Sequence, residues 1–149
     1  MPRTRGLAHV NLNVSDLDRS VRFYCAVFGL EIVADSTEVT QRDGQPVELR
    51  QTVLSTPGRE DLLALTHAAS FPVGSAGLNH IGFTFETDED VRSALDAVSS
   101  HGGTIVHQGE REESGIREIF AYVRDPDGYA IELATQAILL ATKEARRKQ

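Results

Sequence analysis

Leu78-Asn79-His80-Ile81-Gly82-Phe83-Thr84-Phe85 repeats an earlier octet, Leu7-Ala8-His9-Val10-Asn11-Leu12-Asn13-Val14. Each opens on an aliphatic residue, carries a histidine two positions on, and then places an apolar residue at every second position. Successive side chains of a strand point to opposite faces. Val10, Leu12 and Val14 therefore share a packing face, as do Ile81, Phe83 and Phe85. His9, Asn11 and Asn13 share the other face of one strand, and His80, Gly82 and Thr84 that of its copy. Two copies of one pattern predict an internally duplicated architecture.

The same order of elements follows each octet. After the first, Ser15 or Asp16 caps a helix with Leu17, Val21, Cys25 and Phe28 at helical spacing, ended by Gly29. Strands are predicted over 30–35, 47–54 and 61–66. The polar stretch 36–46, with Asp43-Gly44, reads as a turn or loop. After the second octet a helix capped near Thr87 turns Val91, Leu95 and Val98 inward and stops at Gly102-Gly103. Strands are predicted over 104–108, 116–124 and 129–134, with Asp125-Pro126-Asp127-Gly128 as a tight turn. The reading is an α+β fold of two βαβββ repeats within one domain of 149 residues. Repeat one covers about 6–67, an Ala/Ser/Gly-rich linker 68–77, repeat two about 78–135, and a C-terminal helix 136–149. A mixed sheet covered by a helix on one face leaves its other face free. Two such sheets side by side are expected to curl into a trough.

Composition narrows the partners. A net charge of -7 argues against nucleic acid, whose phosphates need a basic surface. The basic cluster Lys143, Arg146, Arg147 and Lys148 suits a helix C-terminus. One cysteine, Cys25, cannot form an internal disulfide and reads as a packed structural thiol. No apolar run reaches membrane-spanning length, and no signal-peptide core is present. A cytoplasmic protein with a small-molecule substrate is expected.

The polar faces of the repeated strands carry the chemistry. His9 and His80 occupy matching places. In the last strand Tyr129, Ile131 and Leu133 alternate with Ala130, Glu132 and Ala134, so packing the apolar set turns Glu132 into the trough. Two neutral imidazoles and one carboxylate suit a divalent transition metal and leave coordination positions open. The repeat-one counterpart of Ile131-Glu132-Leu133 is Leu63-Ala64-Leu65, so Ala64 supplies no fourth ligand. His67, His101 and His107 lack this support and read as structural or solvated.

These motifs resemble the vicinal-oxygen-chelate superfamily, which includes glyoxalase I, methylmalonyl-CoA epimerase, fosfomycin- and bleomycin-resistance proteins and type I extradiol dioxygenases. The resemblance runs from Leu7 through Thr135. It rests on Ala8-His9-Val10-Asn11-Leu12, Phe23-Tyr24 with Val27-Phe28-Gly29-Leu30, Asn79-His80-Ile81-Gly82-Phe83, and Asp125-Pro126-Asp127-Gly128-Tyr129 leading into Ile131-Glu132-Leu133. It implies His9, His80 and Glu132 as ligands of a divalent metal. Fe(II) is favoured, with Zn, Ni, Co or Mn as alternatives, and a homodimer is the expected assembly. Glyoxalase-like and epimerase-like members usually carry Glu or Gln where Ala64 stands. Extradiol dioxygenases use only two histidines and the last glutamate, and their C-terminal signature resembles Tyr122 through Glu132. The acid–base histidine of that signature would fall within Glu113 to Gly115, where none occurs.

The resemblance puts an extradiol-type ring-cleaving dioxygenase first and a glyoxalase- or epimerase-like lyase or isomerase second. A metal-free ligand-sequestering protein is the third reading. In the enzyme readings Tyr122 donates a hydrogen bond near the metal, or else faces solvent. Asn11 and Asn13 contact substrate or merely line the trough. Arg50 counters an anionic substrate or is a solvated strand residue, and Phe120 walls an aromatic ligand or simply packs.

Overall fold

The computed structural model describes residues 7–69 and 78–148, with backbone alone at 40–42. The chain divides into two compact units, 1–71 and 72–149. In the first, the opening octet forms β1 (His9–Val14), followed by α1 (Leu17–Phe28), β2 (Glu31–Arg42), β3 (Gln45–Ser55) and β4 (Leu62–His67). The strands order as β1-β4-β3-β2, with β1 parallel to β4 and the other pairs antiparallel. Asp16 caps α1, its carboxylate accepting from Arg19 N at 2.9 Å. Gly29 ends the helix at φ 66°, a left-handed turn that suits glycine, and its N–H returns to Cys25 O. Leu12 and Val14 bury against Leu17, Phe23, Tyr24 and Val27 of α1 and Leu54, Leu63 and Leu65 of the sheet. Cys25 is half-buried on α1, and burial pushes its thiol above the ordinary value, as befits a packing residue.

The second unit holds β5 (Ile81–Thr84), α2 (Asp88–Ser100), β6 (Thr104–Glu113), β7 (Ile116–Arg124), β8 (Ala130–Ala134) and α3 (Ala137–Arg147). Its order, β5-β8-β7-β6, matches the first sheet strand for strand. Thr87 and Asp90 form a capping box at the start of α2. Val91, Ala94, Leu95 and Val98 bury with Ala121, Val123, Ile131 and Leu133. The duplication extends to irregular details. The β2–β3 hairpin turns through Asp43-Gly44 and the β6–β7 hairpin through Ser114-Gly115, all four residues at positive φ, as a type I′ turn requires. Each hairpin also carries a bulge at one place, Val33 between Ile32 and Ala34, and Val106 between Ile105 and His107.

Two expectations need correction. Residues 36–42 are strand, not loop, and β6 runs five residues past Gln108 to Glu113. These are the outer halves of edge strands. Glu31 to Val39 are exposed on both faces and most of β6 is exposed too, so neither carries the alternation that marks a half-buried strand. The I′ turns, not burial, set their pairing. Of the expected linker 68–77, residues 70–77 lie outside the described residues. No helix among the described residues is long and apolar enough to cross a membrane.

The turn between β7 and β8 is held by Asp125, which is buried and accepts from Asp127 N at 3.0 Å and Tyr129 N at 2.8 Å through Oδ1. Asp125→Ala strands both donors and is expected to cost about 2 kcal/mol. Asp125→Asn keeps an acceptor there and is expected to cost about half as much. Urea unfolding followed by circular dichroism measures both.

Candidate metal centre

The strand registers decide which side chains share the open face of each sheet. In the first unit β1 and β4 pair His9 with Leu62, Asn11 with Ala64 and Asn13 with Thr66. A hydrogen-bond chain crosses this face, Gln51 donating to Thr66 and Thr66 to Asn11, each at 3.0 Å. Because Gln51 lies on this face, Arg50 must lie on the other. There it approaches Asp18 of α1 at 3.8 Å. The structure therefore separates Arg50 from Asn11 and His9 within this unit. Ala64 is buried and sets no carboxylate at the place that Glu132 takes in the second unit.

In the second unit Glu132 pairs with Gly82 on one side and Tyr122 on the other, and β6 sets His107 across from Tyr122 and Arg111 across from Glu118. His80 stands just before β5. Its Nε2 lies 3.3 Å from Glu132 Oε2, and its Nδ1 lies 2.7 Å from Asn79 Oδ1. A carbonyl oxygen only accepts, so that contact places the ring hydrogen on Nδ1. Nε2 then faces a carboxylate oxygen, in an ion pair where it carries a proton and with its lone pair where it does not. Two electron-rich atoms at this separation call for a proton or a cation between them, and neutral imidazole with carboxylate is a fitting pair of metal donors. Gly82 keeps the space beside Oε2 open, since a Cβ there would lie 3.6 Å from it. Tyr122 packs edge-on against the His80 ring at 5.4 Å, and Phe120 lies beyond it at 6.1 Å.

Three residues absent from the expected set complete this face. Arg111 donates from Nε to Glu118 at 2.6 Å and from NH1 to Glu132 Oε1 at 3.0 Å, its guanidinium 5.1 Å above the Phe120 ring. Glu118, fully buried, also accepts from Ala137 N at 2.6 Å and Thr135 Oγ1 at 3.2 Å. It thereby caps α3, whose own Gln136 turns instead to Glu132 Oε2 at 3.4 Å. Burial alone would raise the Glu118 pKa, but the Arg111 hydrogen bond and charge, aided by Ala137 and Thr135, hold it below the usual carboxylate value. For Arg111 burial acts to lower the pKa, and the two carboxylates outweigh it and raise it. A cleft of about 430 Å³ opens here, lined by Arg111, Glu118, Tyr122, Glu132, Gln136 and Leu139 among others. Glu118 shares the alternation of Phe120 and Tyr122 along β7 and was legible on that ground. Arg111 was not, because it lies on the part of β6 that carries no pattern.

Of the expected ligands, the structure brings His80 and Glu132 together, and His9 belongs to the other unit. Among the described residues no three His, Cys, Asp or Glu side chains converge as a metal site. His101 caps α2, its Nδ1 2.9 Å from Ala97 O, and His67 is exposed at the end of β4, as expected for structural or solvated residues. His107 is exposed on β6, its ring 5.5 Å from Phe120.

Residues 6–133 match the family described as Glyoxalase/Bleomycin resistance protein/Dioxygenase superfamily. The chain belongs to this superfamily. A probable lactoylglutathione lyase of Synechocystis is 30% identical over 133 residues, covering 85% of this chain and 92% of the relative. The trypanothione-dependent glyoxalase I of Leishmania major superposes with a TM-score of 0.68 at 25% identity, covering 97% of this chain and 96% of its own. The fosfomycin resistance protein FosX of Listeria monocytogenes, solved as a mutant with Mn(II), superposes at 0.64 with 22% identity, covering 89% and 91%, a likeness of fold. Among the described residues the superfamily fold thus takes the form of two four-stranded mixed sheets with three helices.

Glu118→Gln removes a charge that the fold neutralises and is expected to cost about 2 kcal/mol at neutral pH, a value discounted for the partly exposed Arg111. Because the folded pKa of Glu118 is depressed, its ionised form stabilises the fold fully above the ordinary value of 4.5 and less as pH falls through the lower folded value. The difference in melting temperature between wild type and Glu118→Gln should therefore shrink on acidification below 4.5. Thermal melts across a pH series measure it.

Proposed function

We propose that this protein is a metal-dependent lyase or isomerase of the glyoxalase type, with His9, His80 and Glu132 as the protein ligands of a divalent cation. The observation that carries the proposal is the meeting of His80 Nε2 and Glu132 Oε2 at 3.3 Å, with Nδ1 committed to Asn79. The cation supplies Lewis-acid polarisation of two neighbouring substrate oxygens. Asn79 fixes the tautomer of His80, and Tyr122 fixes the tilt of its ring. A symmetric site would divide proton movement between acids at 64 and 132. With alanine at 64, that work falls to Glu132. Ile138 and Leu139 give the cleft apolar lining, Phe120 stands beside Tyr122 on the same strand, and Asn11 and Asn13 offer amides to substrate from the His9 strand.

The relatives named above favour this reading over ring cleavage. The curated one carries the name lactoylglutathione lyase, and none is a dioxygenase. Fe(II) belonged to the oxygenase expectation and loses its support with it. Zn, Ni, Co and Mn move ahead, Mn(II) being the ion held by FosX. A second reading, a binding protein that sequesters its ligand, is favoured by Ala64, which leaves the first repeat without a ligand acid. A homodimer remains the assembly we propose, to be measured by light scattering.

Metal content of protein purified without chelators, with turnover of methylglyoxal plus glutathione to S-lactoylglutathione, tests the proposal. One equivalent of Zn, Ni, Co or Mn with turnover and no oxygen uptake is expected. Metal-free protein that binds ligand without turnover would establish the second reading instead. His80→Ala is expected to lose stoichiometric metal and activity while its melting temperature stays close to wild type; retention of the metal would count against the centre.

A further inference from the structure

A carboxylate can meet a cation through one oxygen or both, and the surroundings of Glu132 bias that choice. Oε1 is held at 3.0 Å by Arg111 NH1. Among the described residues, Oε2 has only the 3.3 Å approach of His80 Nε2 and the long 3.4 Å contact of Gln136 Nε2. Arg111 has little freedom to wander. Its Nε is fixed at 2.6 Å to Glu118, a side chain without exposed surface that is itself held by Thr135 and Ala137, and the guanidinium lies over Phe120. A planar guanidinium anchored at Nε presents its other nitrogens in fixed directions, which an ammonium would not do.

The duplicated fold supplies an internal control. By register, His107-Tyr122-Glu132 corresponds to Ala34-Val53-Ala64. Two steps further out, Arg111-Glu118 corresponds to Glu38-Leu49. At these positions the first sheet, built with the same strand order, turn and bulge, has no arginine, no buried acid and no counterpart of Glu132. The fold does not require the pair. It occurs in the repeat that carries Glu132.

We infer that Arg111 is a positioning residue of the proposed metal centre, holding Oε1 of Glu132 so that Oε2 alone is presented beside His80, with Glu118 as its buried anchor. The inference rests on the metal-centre reading. It also accounts for charge: Glu118 and Glu132 contribute two negative charges and Arg111 one positive, so one negative charge remains to meet a cation.

The test is metal affinity, measured by chelator competition with Co(II) as probe, together with the visible absorption of the Co(II) protein, which reports coordination geometry. Arg111→Met should weaken binding about 10- to 100-fold, the usual cost of losing a group that orients a ligand, and should alter the spectrum. Arg111→Lys should restore only part of the loss, since an ammonium cannot span both carboxylates in the same geometry. Glu118→Gln, which leaves Arg111 in place without its charged anchor, should weaken binding less than Arg111→Met and serves if that variant does not fold. Wild-type or tighter Co(II) affinity with an unchanged spectrum in a folded Arg111→Met or Glu118→Gln protein overturns the inference. His80→Ala separates the two levels. If it abolishes Co(II) binding while the Arg111 and Glu118 variants bind as wild type, only the positioning role fails. If it binds Co(II) as wild type, the centre itself fails and the inference with it.

Discussion

Two carboxylates on one sheet face share a single guanidinium, and much of the second unit is arranged around that fact. Glu118 has no exposed surface, a position in which an isolated carboxylate would take up a proton. It stays ionised because Arg111, Thr135 and the first N–H of α3 all point at it. The same side chain thus caps a helix, anchors an arginine and, through that arginine, restrains Glu132. Removing any one partner leaves the others with unmet charge or unmet donors. Cooperation of this kind makes a buried polar cluster specific rather than merely stabilising.

Duplication supplies the frame, and divergence supplies the site. Both sheets use the same strand order, the same positive-φ hairpin turn and a bulge at the same register. Most inward positions are apolar in both because each sheet packs on its own helix. Outward positions were free to differ. Where one parallel pair sets Asn11 beside Ala64, the other sets Gly82 beside Glu132. In each pair a long polar side chain stands next to a residue with little or no side chain. Space on the face goes to one strand or to its neighbour, and the acid took it in the second repeat.

Most of this frame was readable before any coordinates, because packing leaves a period in the sequence. Val10, Leu12 and Val14, their counterparts Ile81, Phe83 and Phe85, and the alternation through Ile131 and Leu133 marked the buried faces, and with them the outward direction of His80 and Glu132. The outer strand halves were not readable, since residues exposed on both faces obey no period. Arg111 lies there, so its pairing with Glu118 depended on extending β6 to Glu113. A symmetry argument would have reached it. Thr104-Ile105-Val106-His107 matches Glu31-Ile32-Val33-Ala34, and Ser114-Gly115 matches Asp43-Gly44 as a turn, which together fix the hairpin length. The side of the sheet taken by Arg50 was open for a simpler reason. Its neighbour Gln51, held by Thr66, shows the parity of β3 on the open face, and one residue along a strand is the difference between a site and a helix contact.

Membership of the superfamily does not by itself determine the reaction, because its chemistries share a frame and differ in the few side chains on the open faces. The position that matters most is Ala64. In the proposed centre a second acid there would add a fourth ligand and a second route for the proton, whereas alanine would leave one ligand and one base fewer. In the proposed centre that asymmetry would raise the demand on Glu132, which would have to stay bound and aligned with no second acid to share the movement of the proton. A carboxylate free to rotate would alternate between one- and two-oxygen contact and occupy the position that alanine opens. On the inference drawn above, tying Oε1 to Arg111 would prevent this, and the alanine in the first repeat and the tether in the second would be two sides of one arrangement.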